Sequence, residues 1–412
     1  MQDSNSKLIY SIVAVFTLLQ LLALLLFGYT PYPDSNGYIS IARECVAQGQ
    51  PYPFAAQING NGFLWNVGSI NVVALFLALF HSITPLLFLY AILKGFSALL
   101  VYKISERLFG AETAFLTLVI YVLYPANYGE ATSVLSELPF MFFVLLGIWL
   151  ALSGKVVAGG MSVAIANWMR PMGIVFVAAM VVYFLVIRRY RDILRTVAGY
   201  VAVIVVIGSV SYARTGYFIY QAKTGWMALL QYSVDNSPED DAYYTNADGY
   251  NIIQKDSVWQ GRMLQWVVSH PKDYVLQMPK KLVKTYVSDN VNLCAFLPDK
   301  DRSSYMYGPL SMSTLEKDFP HYSFVQWLTV CNLVYYYCLM VLFVLGSVLM
   351  IRRKEFQGLA IPAGVVFFGT AVLLLVGHGE ARFHIPFMPF VIMVAAYWFQ
   401  RNACFIRKRY HV

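Results

Sequence analysis

Long apolar runs constrain the fold of this 412-residue chain more than any other feature of its sequence. Several of them approach the roughly 20 residues that an α-helix needs to cross the hydrocarbon core of a bilayer. Hydrophobic residues make up 58% of the chain and charged residues only 13%, unlike the balance of a soluble protein. The run 8–28 follows Lys7 and precedes no small-residue cleavage site, so we expect a retained anchor. The sequence predicts an all-α polytopic integral membrane protein.

Short basic groups beside the apolar runs indicate the topology, because Lys and Arg concentrate in cytoplasmic loops. If the runs 63–80 and 85–102 both crossed the membrane, every later basic loop would be inverted. The first of the two is interrupted by polar residues, so we interpret it as a helix in the membrane interface. The basic groups are Lys7, 103–107, Lys155, 188–195, 352–355 and 401–409. The net charge of +8 follows these groups and does not indicate nucleic acid.

This topology predicts about ten transmembrane helices, with both termini in the cytoplasm. An N-terminal transmembrane core (1–212) contains a first external loop (29–85) with two interfacial helices. A large external segment (213–323) follows as a small cap, in which 257–289 reads as two helices, and 324–412 holds the last three spans. The predicted spans are 8–28, 86–102, 112–129, 138–154, 156–169, 172–187, 195–212, 324–350, 357–376 and 385–402.

The first external loop opens with a carboxylate at the start of an amphipathic pattern. In PYPDSNGYISIARECVAQGQPY (31–52), Asp34 is followed by Tyr38 and further apolar residues at helical spacing, until Gly49 ends the pattern. Asp34, Ser35 and Asn36 are all candidate N-caps. The helix dipole would favour an ionised Asp34 there, although a plain capping role fits the same residue.

Further charged residues fall on the external side of the predicted spans, where charges near membrane depth usually mark a site. They are Glu137, Arg170 and the segment HGEARFHIPFMP (378–389), which contains Glu380 and Arg382. This set suits sugar transfer from a lipid phosphate. Arg170 and Arg382 would bind the phosphate and Asp34 would accept the proton of the incoming hydroxyl. Glu137 would orient the acceptor or stabilise developing positive charge.

Each candidate also has a purely structural interpretation. Glu137 could cap a helix, Arg170 could anchor the interface, and Arg382 could simply pair with Glu380. A metal site at His378, Glu380 and His384 is disfavoured by its irregular spacing, and we expect no cofactor, with metal dependence left open. We retain as candidate substrate or lipid contacts the residues Tyr38, Glu380, His378, Lys280 and Lys281.

Four stretches together resemble the GT-C superfamily of integral membrane glycosyltransferases, most of all the branch with protein O-mannosyltransferases and the aminoarabinose transferase of lipid A. They are PDSNGYISIARECVAQGQPY, LFGAETAFLTLVIYVLYPANYGEATSVLSELPFMFF, ANWMRPMGIVF and EARFHIPFMPFVIMVAAY. The resemblance implies a polyprenyl-phosphate sugar donor, inversion at the anomeric carbon and an extracytoplasmic acceptor (protein, glycan or glycolipid). It also implies that Asp34 is catalytic and Glu137 a second site residue.

One departure from the family concerns the phosphate. The aminoarabinose enzymes have a lysine before the second interfacial helix, whereas the corresponding QINGNGFLWNVG (57–68) has no basic residue. The chain has no Asn-x-Ser/Thr, which favours a bacterial inner membrane, with the site facing outside. Cys45 and Cys294 both fall in predicted external segments, so a disulfide between them is one option.

Other function classes remain open at this point. A polysaccharide polymerase or ligase would also use a lipid-linked glycan and a large external loop. A transporter predicts repeated halves and broken helices near the bilayer midplane, and the sequence shows no repeat. A non-catalytic protein with the same fold is a further alternative.

Overall fold

A computed structural model describes residues 2–60, 62–233, 246–297, 310–377 and 379–410. Within these ranges the regular structure is helical and contains no strand. Short 3-10 turns span Pro125–Asn127, Glu130–Thr132, Val291–Phe296 and Ala381–Phe387. The α-helices are α1 (Gln2–Phe27), α2 (Pro33–Gln48), α3 (Ala55–Ile58), α4 (Val67–Phe80), α5 (Thr84–Phe109), α6 (Ala111–Leu123), α7 (Glu137–Leu152), α8 (Val156–Met169), α9 (Gly173–Val186), α10 (Tyr190–Thr215), α11 (Gly225–Ser233), α12 (Ile252–Ser269), α13 (Pro271–Tyr286), α14 (Met312–Asp318), α15 (Phe324–Arg352), α16 (Phe356–Val376) and α17 (Met388–Tyr410).

Every predicted span overlaps one of these helices, although the limits differ for several of them, and the protein is an all-α integral membrane protein. Six segments in the described ranges are long and apolar enough to cross a membrane: α1, α5, α10, α15, α16 and the stretch that ends in α17. The pair formed by Pro125–Thr132 and α7 adds a seventh if it counts as one bent span. The predicted spans at α6, α8 and α9 are shorter apolar helices.

The third span ends earlier than predicted. We expected it to run to residue 129, but α6 ends at Leu123 and Tyr124 is extended, with φ −74° and ψ 114°. Pro125 explains the difference, because a proline disfavours the helical conformation of the residue before it. Two 3-10 turns follow, and the chain bends by 115° before α7 begins at Glu137.

Helix α2 begins one residue before the carboxylate rather than at it. Its N-cap is Tyr32, Pro33 occupies the first turn, and Asp34 follows as a first-turn acid. The prediction that Asp34, Ser35 or Asn36 caps this helix is therefore wrong, because a proline fits the first helical position, where no N–H is needed. The predicted end is correct, since Gly49 adopts the left-handed conformation with φ 62°. Helices α2 and α4 are the two longer helices that the sequence predicted within 29–85, and they pack against each other.

Two clusters of buried hydrophobic residues hold the helices together. The larger joins α5 through α9 with α15, α16 and α17. The smaller lies beneath α2 and α4 and includes Tyr38 and Leu64. Between them, Lys94 of α5 is buried and forms an ion pair with Glu130, and its Nζ donates to Asn127 Oδ1 at 2.9 Å. Lys94 therefore faces the protein interior, as a charge inside a membrane span should.

The described part of the segment 213–323, which we call the cap, contributes helices of its own. Two helices were predicted within 257–289, and α12 and α13 occupy that part of the chain, with Pro271 in the first turn of α13. Trp259, Met263 and Trp266 of α12 form an apolar cluster with Leu229 and Leu230 of α11. Cys45 and Cys294 belong to different buried clusters and are both free, so the disulfide that the sequence left as an option is not formed.

Candidate functional site

The carboxylate of Asp34, between α1 and α4, contacts a guanidinium from the far end of the chain. Asp34 lies in the first turn of α2, and its Oδ2 is 2.7 Å from Nη1 of Arg382. Arg382 belongs to the 3-10 turn between α16 and α17. Nε of Arg382 also lies 2.7 Å from Oε1 of Glu380. Arg382 therefore holds two carboxylates at once, which goes beyond the predicted pairing with Glu380 alone.

A second ion pair lies directly behind the first. Glu137, the first residue of α7, is buried, and its Oε1 is 2.8 Å from Nη1 of Arg170 and 3.9 Å from Nη1 of Arg382. Arg170 follows α8 and also donates from Nη1 to Ser136 Oγ at 3.2 Å. The cluster thus contains three carboxylates and two guanidiniums, which leaves one uncompensated negative charge when all five are ionised.

A neutral hydrogen-bond network borders these charges. Asn66 donates from Nδ2 to the Tyr38 hydroxyl at 2.7 Å and to Ser136 Oγ at 3.1 Å. Burial raises the pKa of Tyr38, and the negative charges of Asp34 and Glu137 raise it further. Tyr38 is therefore a neutral hydroxyl at physiological pH. Sequence reasoning missed Asn66 and Ser136 as site residues, although Asn66 interrupts an apolar run and could have been noticed there.

These groups open into a cavity of about 520 Å³. Asp34, Arg170 and Arg382 of the charged cluster line one part of it. Val372, Leu373 and Val376 of α16 give it an apolar surface. Lys223, Trp226 and Asp256 of the cap also line the cavity, which the sequence did not predict. Trp65, which precedes α4, lines it as well.

Other predicted contacts lie away from this cavity or outside the described residues. His378 lies outside the described residues. Lys280 is exposed on α13, whereas the neighbouring Lys281 is buried, and burial lowers its pKa to about 8. His384 is buried, with Nδ1 2.6 Å from the Thr285 carbonyl oxygen and Nε2 3.7 Å from Asp289 Oδ1. In the described ranges, no three His, Cys, Asp or Glu side chains are grouped so that they could hold a metal ion.

Solved structures with the same architecture identify the fold. The oligosaccharyltransferase of Archaeoglobus fulgidus, tethered with an acceptor peptide, aligns with 97% of this chain and 50% of its own, at 10% identity and a TM-score of 0.54. The same archaeal enzyme, AglB, in complex with an inhibitory peptide and a dolichol-phosphate, aligns with 98% of this chain and 51% of its own, at 9% identity and a TM-score of 0.51. The fold is that of the GT-C membrane glycosyltransferases.

The GT-C fold predicted from sequence is thus confirmed, and the chain spans about half the length of the archaeal enzyme. ArnT from Cupriavidus metallidurans bound to undecaprenyl phosphate also aligns, over 97% of this chain and 79% of its own, at 15% identity with a TM-score of 0.44. No family model matches the sequence, and no curated protein matches it. The similarity is therefore one of fold.

The cavity combines three chemical capacities. Guanidiniums can bind an anion through charge-assisted contacts. A partly exposed carboxylate, Asp34, can accept a proton. An apolar surface on α16 can contact a lipid chain.

Proposed function

We propose that this protein is a glycosyltransferase that moves a sugar from a polyprenyl-phosphate-linked donor to an acceptor hydroxyl, with inversion at the anomeric carbon. The observation that carries the proposal is the contact between Asp34 and Arg382 at the wall of one cavity. This contact supports the proposal, because a carboxylate able to act as a general base and a guanidinium able to bind phosphate would both lie within reach of the same bound molecule. The fold supports this proposal, because AglB has been solved with a dolichol-phosphate.

Arg382 and Arg170 are the groups that we assign to the donor phosphate. Both line the cavity, and a guanidinium binds phosphate oxygens in a bidentate geometry. The apolar residues of α16 line the same space and would contact the first isoprene units. A leaving phosphate needs positive charge rather than a proton, so two arginines serve the step without a general acid.

Donor binding would also release the base. In the structure the Asp34 carboxylate is paired with the Arg382 guanidinium. An incoming phosphate competes for Arg382, so it frees the Asp34 carboxylate as it binds. The acceptor hydroxyl then transfers its proton to Asp34 while its oxygen bonds to the anomeric carbon, and the bond from that carbon to the phosphate oxygen breaks. Attack opposite the leaving phosphate inverts the anomeric centre.

Glu137 has a supporting role in this scheme. It is buried outside the cavity lining, and its Oε1 is 2.8 Å from Nη1 of Arg170, which does line the cavity. We therefore assign Glu137 to the positioning of Arg170 rather than to contact with the acceptor. Tyr38 lines the cavity beside Asp34 and is suited to donate a hydrogen bond to a sugar or phosphate oxygen.

We further propose that the protein resides in a bacterial inner membrane with this cavity on the external side. The basic groups beside the spans support the orientation, and the absence of Asn-x-Ser/Thr supports the bacterial membrane. The acceptor is then a protein, glycan or glycolipid of the cell envelope.

The test compares envelope glycans, glycolipids and glycoproteins by mass spectrometry in cells with and without the protein. Wild type should add a mass equal to one sugar to a defined species. Asp34→Asn should lower the rate of that addition by about 10² to 10⁴, because it removes the general base. Asp248→Asn, a change at an exposed cap residue, is the matched control and should behave as wild type. Full activity of Asp34→Asn, or uptake of a labelled solute by proteoliposomes, would contradict the proposal.

A further inference from the structure

One part of the cavity wall is aromatic and has no role in the chemistry above. It consists of Phe63 and Trp65, which precede α4, and Trp226 of α11. The rings of Phe63 and Trp65 lie 5.0 Å apart at an angle of 32°. All three residues are only partly buried, so aromatic surface remains available inside the cavity. We call this group the aromatic wall.

The aromatic wall is held in place by surrounding contacts. The Trp65 backbone N–H donates to the Tyr52 hydroxyl at 2.9 Å, and the Trp65 ring packs closely against Gly37 of α2, where a Cβ would lie 3.4 Å from it. The Lys223 N–H donates to the Leu64 carbonyl oxygen at 3.0 Å, which ties the cap to this loop. A site with this many fixed neighbours is preorganised, which lowers the entropic cost of binding.

A polar edge borders the aromatic wall. Lys223 Nζ lies 3.0 Å from Asp256 Oδ2 of α12, and both side chains are partly exposed and line the cavity. Because their charges cancel, this edge offers hydrogen-bond donors and acceptors without a net charge. It therefore favours a neutral, hydroxyl-rich ligand over a second phosphate.

These features match the surface of a sugar ring. A pyranose has a face of C–H groups that packs on an aromatic ring and a rim of hydroxyls that pairs with carboxylate and ammonium groups. The volume of about 520 Å³ lies in the range typical of small-molecule sites, about 300 to 1,000 Å³, and exceeds that of a single pyranose. Space thus exists for an acceptor beside the donor sugar.

The aromatic wall also connects to the catalytic carboxylate. Trp65 meets Tyr38 edge to face, with ring centroids 5.6 Å apart. Tyr38 lies one helical turn after Asp34 in α2, so both side chains lie on the same face. A ring stacked on Trp65 would therefore present its hydroxyls near Asp34. Resting on the function proposed above, we infer that the acceptor is a saccharide, bound by the aromatic wall and by the Lys223–Asp256 pair.

The experiment measures binding by the full chain in lipid nanodiscs, using saturation-transfer NMR. The probes are a panel of neutral methyl glycosides and disaccharides, and a panel of Ser- and Thr-containing peptides. At least one saccharide should bind, and no peptide should compete with it. Trp226→Ala should weaken saccharide binding about tenfold, because it removes a stacking face, and Trp226→Phe should restore most of it. Asp256→Asn should weaken binding severalfold.

Trp327→Ala is the matched control, because Trp327 is an exposed aromatic residue of α15 outside the cavity lining. It should leave saccharide binding unchanged. Binding of peptides instead of saccharides, binding of neither panel, or equal loss in Trp327→Ala and Trp226→Ala would overturn the inference.

A separate measurement distinguishes this inference from the proposed function. Native mass spectrometry of the same wild-type preparation, with undecaprenyl phosphate as probe, reports lipid-phosphate binding. If the lipid binds and no saccharide does, the acceptor inference fails and the glycosyltransferase proposal stands. If saccharides bind and the lipid does not, the donor assignment fails instead.

Discussion

Arg382 shows how much a single side chain can organise at this site. Its Nη1 faces Asp34 and its Nε faces Glu380, which is possible because a guanidinium presents several donors in a fixed plane. A lysine has one compact charge and cannot hold both carboxylates in the same way. The competition between Asp34 and an incoming phosphate therefore depends on an arginine at this position.

Lys281 is a basic residue whose charge is destabilised by burial. It is buried on α13, its Nζ has no hydrogen-bond partner, and it lies 5.6 Å from the centroid of the Tyr274 ring. Desolvation lowers its pKa from 10.5 to about 8. Relative to the unfolded state, the folded protein thus disfavours the charged form of Lys281, by at most about 3 kcal/mol at neutral pH.

The prediction for Lys281 concerns pH. Between about pH 8 and 10.5, the Lys281 amine is protonated in the unfolded state and mostly deprotonated in the folded state. The unfolded state therefore binds more protons there, so this residue makes the free energy of unfolding rise with pH over that window. Lys281→Met should raise the apparent Tm at pH 7 and remove that part of the pH dependence. Lys280→Met, at the exposed neighbour, should do neither. Scanning fluorimetry in detergent from pH 6.5 to 10 measures both, and a lower Tm for Lys281→Met would contradict the assignment.

At the scale of elements, helices α8 and α10 depend on close backbone contact with each other. A Cβ on Gly160 of α8 would lie 2.1 Å from the Thr196 carbonyl oxygen, and one on Gly199 of α10 would lie 2.2 Å from that of Val157. Small residues permit such approach between helices in a membrane, where packing rather than the hydrophobic effect drives association. Arg170 follows directly after α8, so this contact also positions the arginine that we assign to the donor phosphate.

We predict that Gly199→Leu separates α8 from α10. The backbone has to move because the obstacle is a carbonyl group, so we expect a loss of roughly 3 kcal/mol or more. Fluorescence-detected size-exclusion chromatography should show a smaller monodisperse fraction and a lower apparent Tm. Gly261→Ala on α12, where a Cβ meets no atom within 4 Å, is the control. Equal behaviour of the two variants would show that the contact does not limit stability.

At the scale of the whole molecule, charge asymmetry defines the orientation that the proposed function requires. The basic groups beside the spans belong to the cytoplasm in this scheme, and the cap and cavity belong outside. An acceptor in the envelope can be reached only in that orientation.

The orientation can be tested with single cysteines in a variant whose native cysteines have been replaced by serine or alanine. Lys272→Cys on α13 of the cap should react with a membrane-impermeant maleimide in intact cells. Arg353→Cys, after α15, should react only after the cells are lysed; both native residues are exposed. The reverse labelling pattern would place the cavity in the cytoplasm and remove the access of envelope acceptors.

The sequence by itself determined the helices and the chemical character of the site. Run lengths, turn residues such as Gly49 and the proline at 271 are local signals, so α2, α12, α13 and the spans could be predicted from them. Asp34 and Arg382 also stood out locally, because charges are rare in so apolar a chain. Pro125 and Pro33 account for two element limits that differ from those expected, and α5 and α10 extend beyond their predicted spans at both ends.

The tertiary structure alone decided which of these residues meet. Arg382 contacts Asp34 from the other end of the chain, and Asn66 joins Tyr38 to Ser136 across three segments. Lys280 and Lys281 are equivalent in sequence, yet one is exposed and the other buried. The reason is physical: burial and ion pairing depend on neighbours brought together by packing of distant helices, and local periodicity contains no information about those distances.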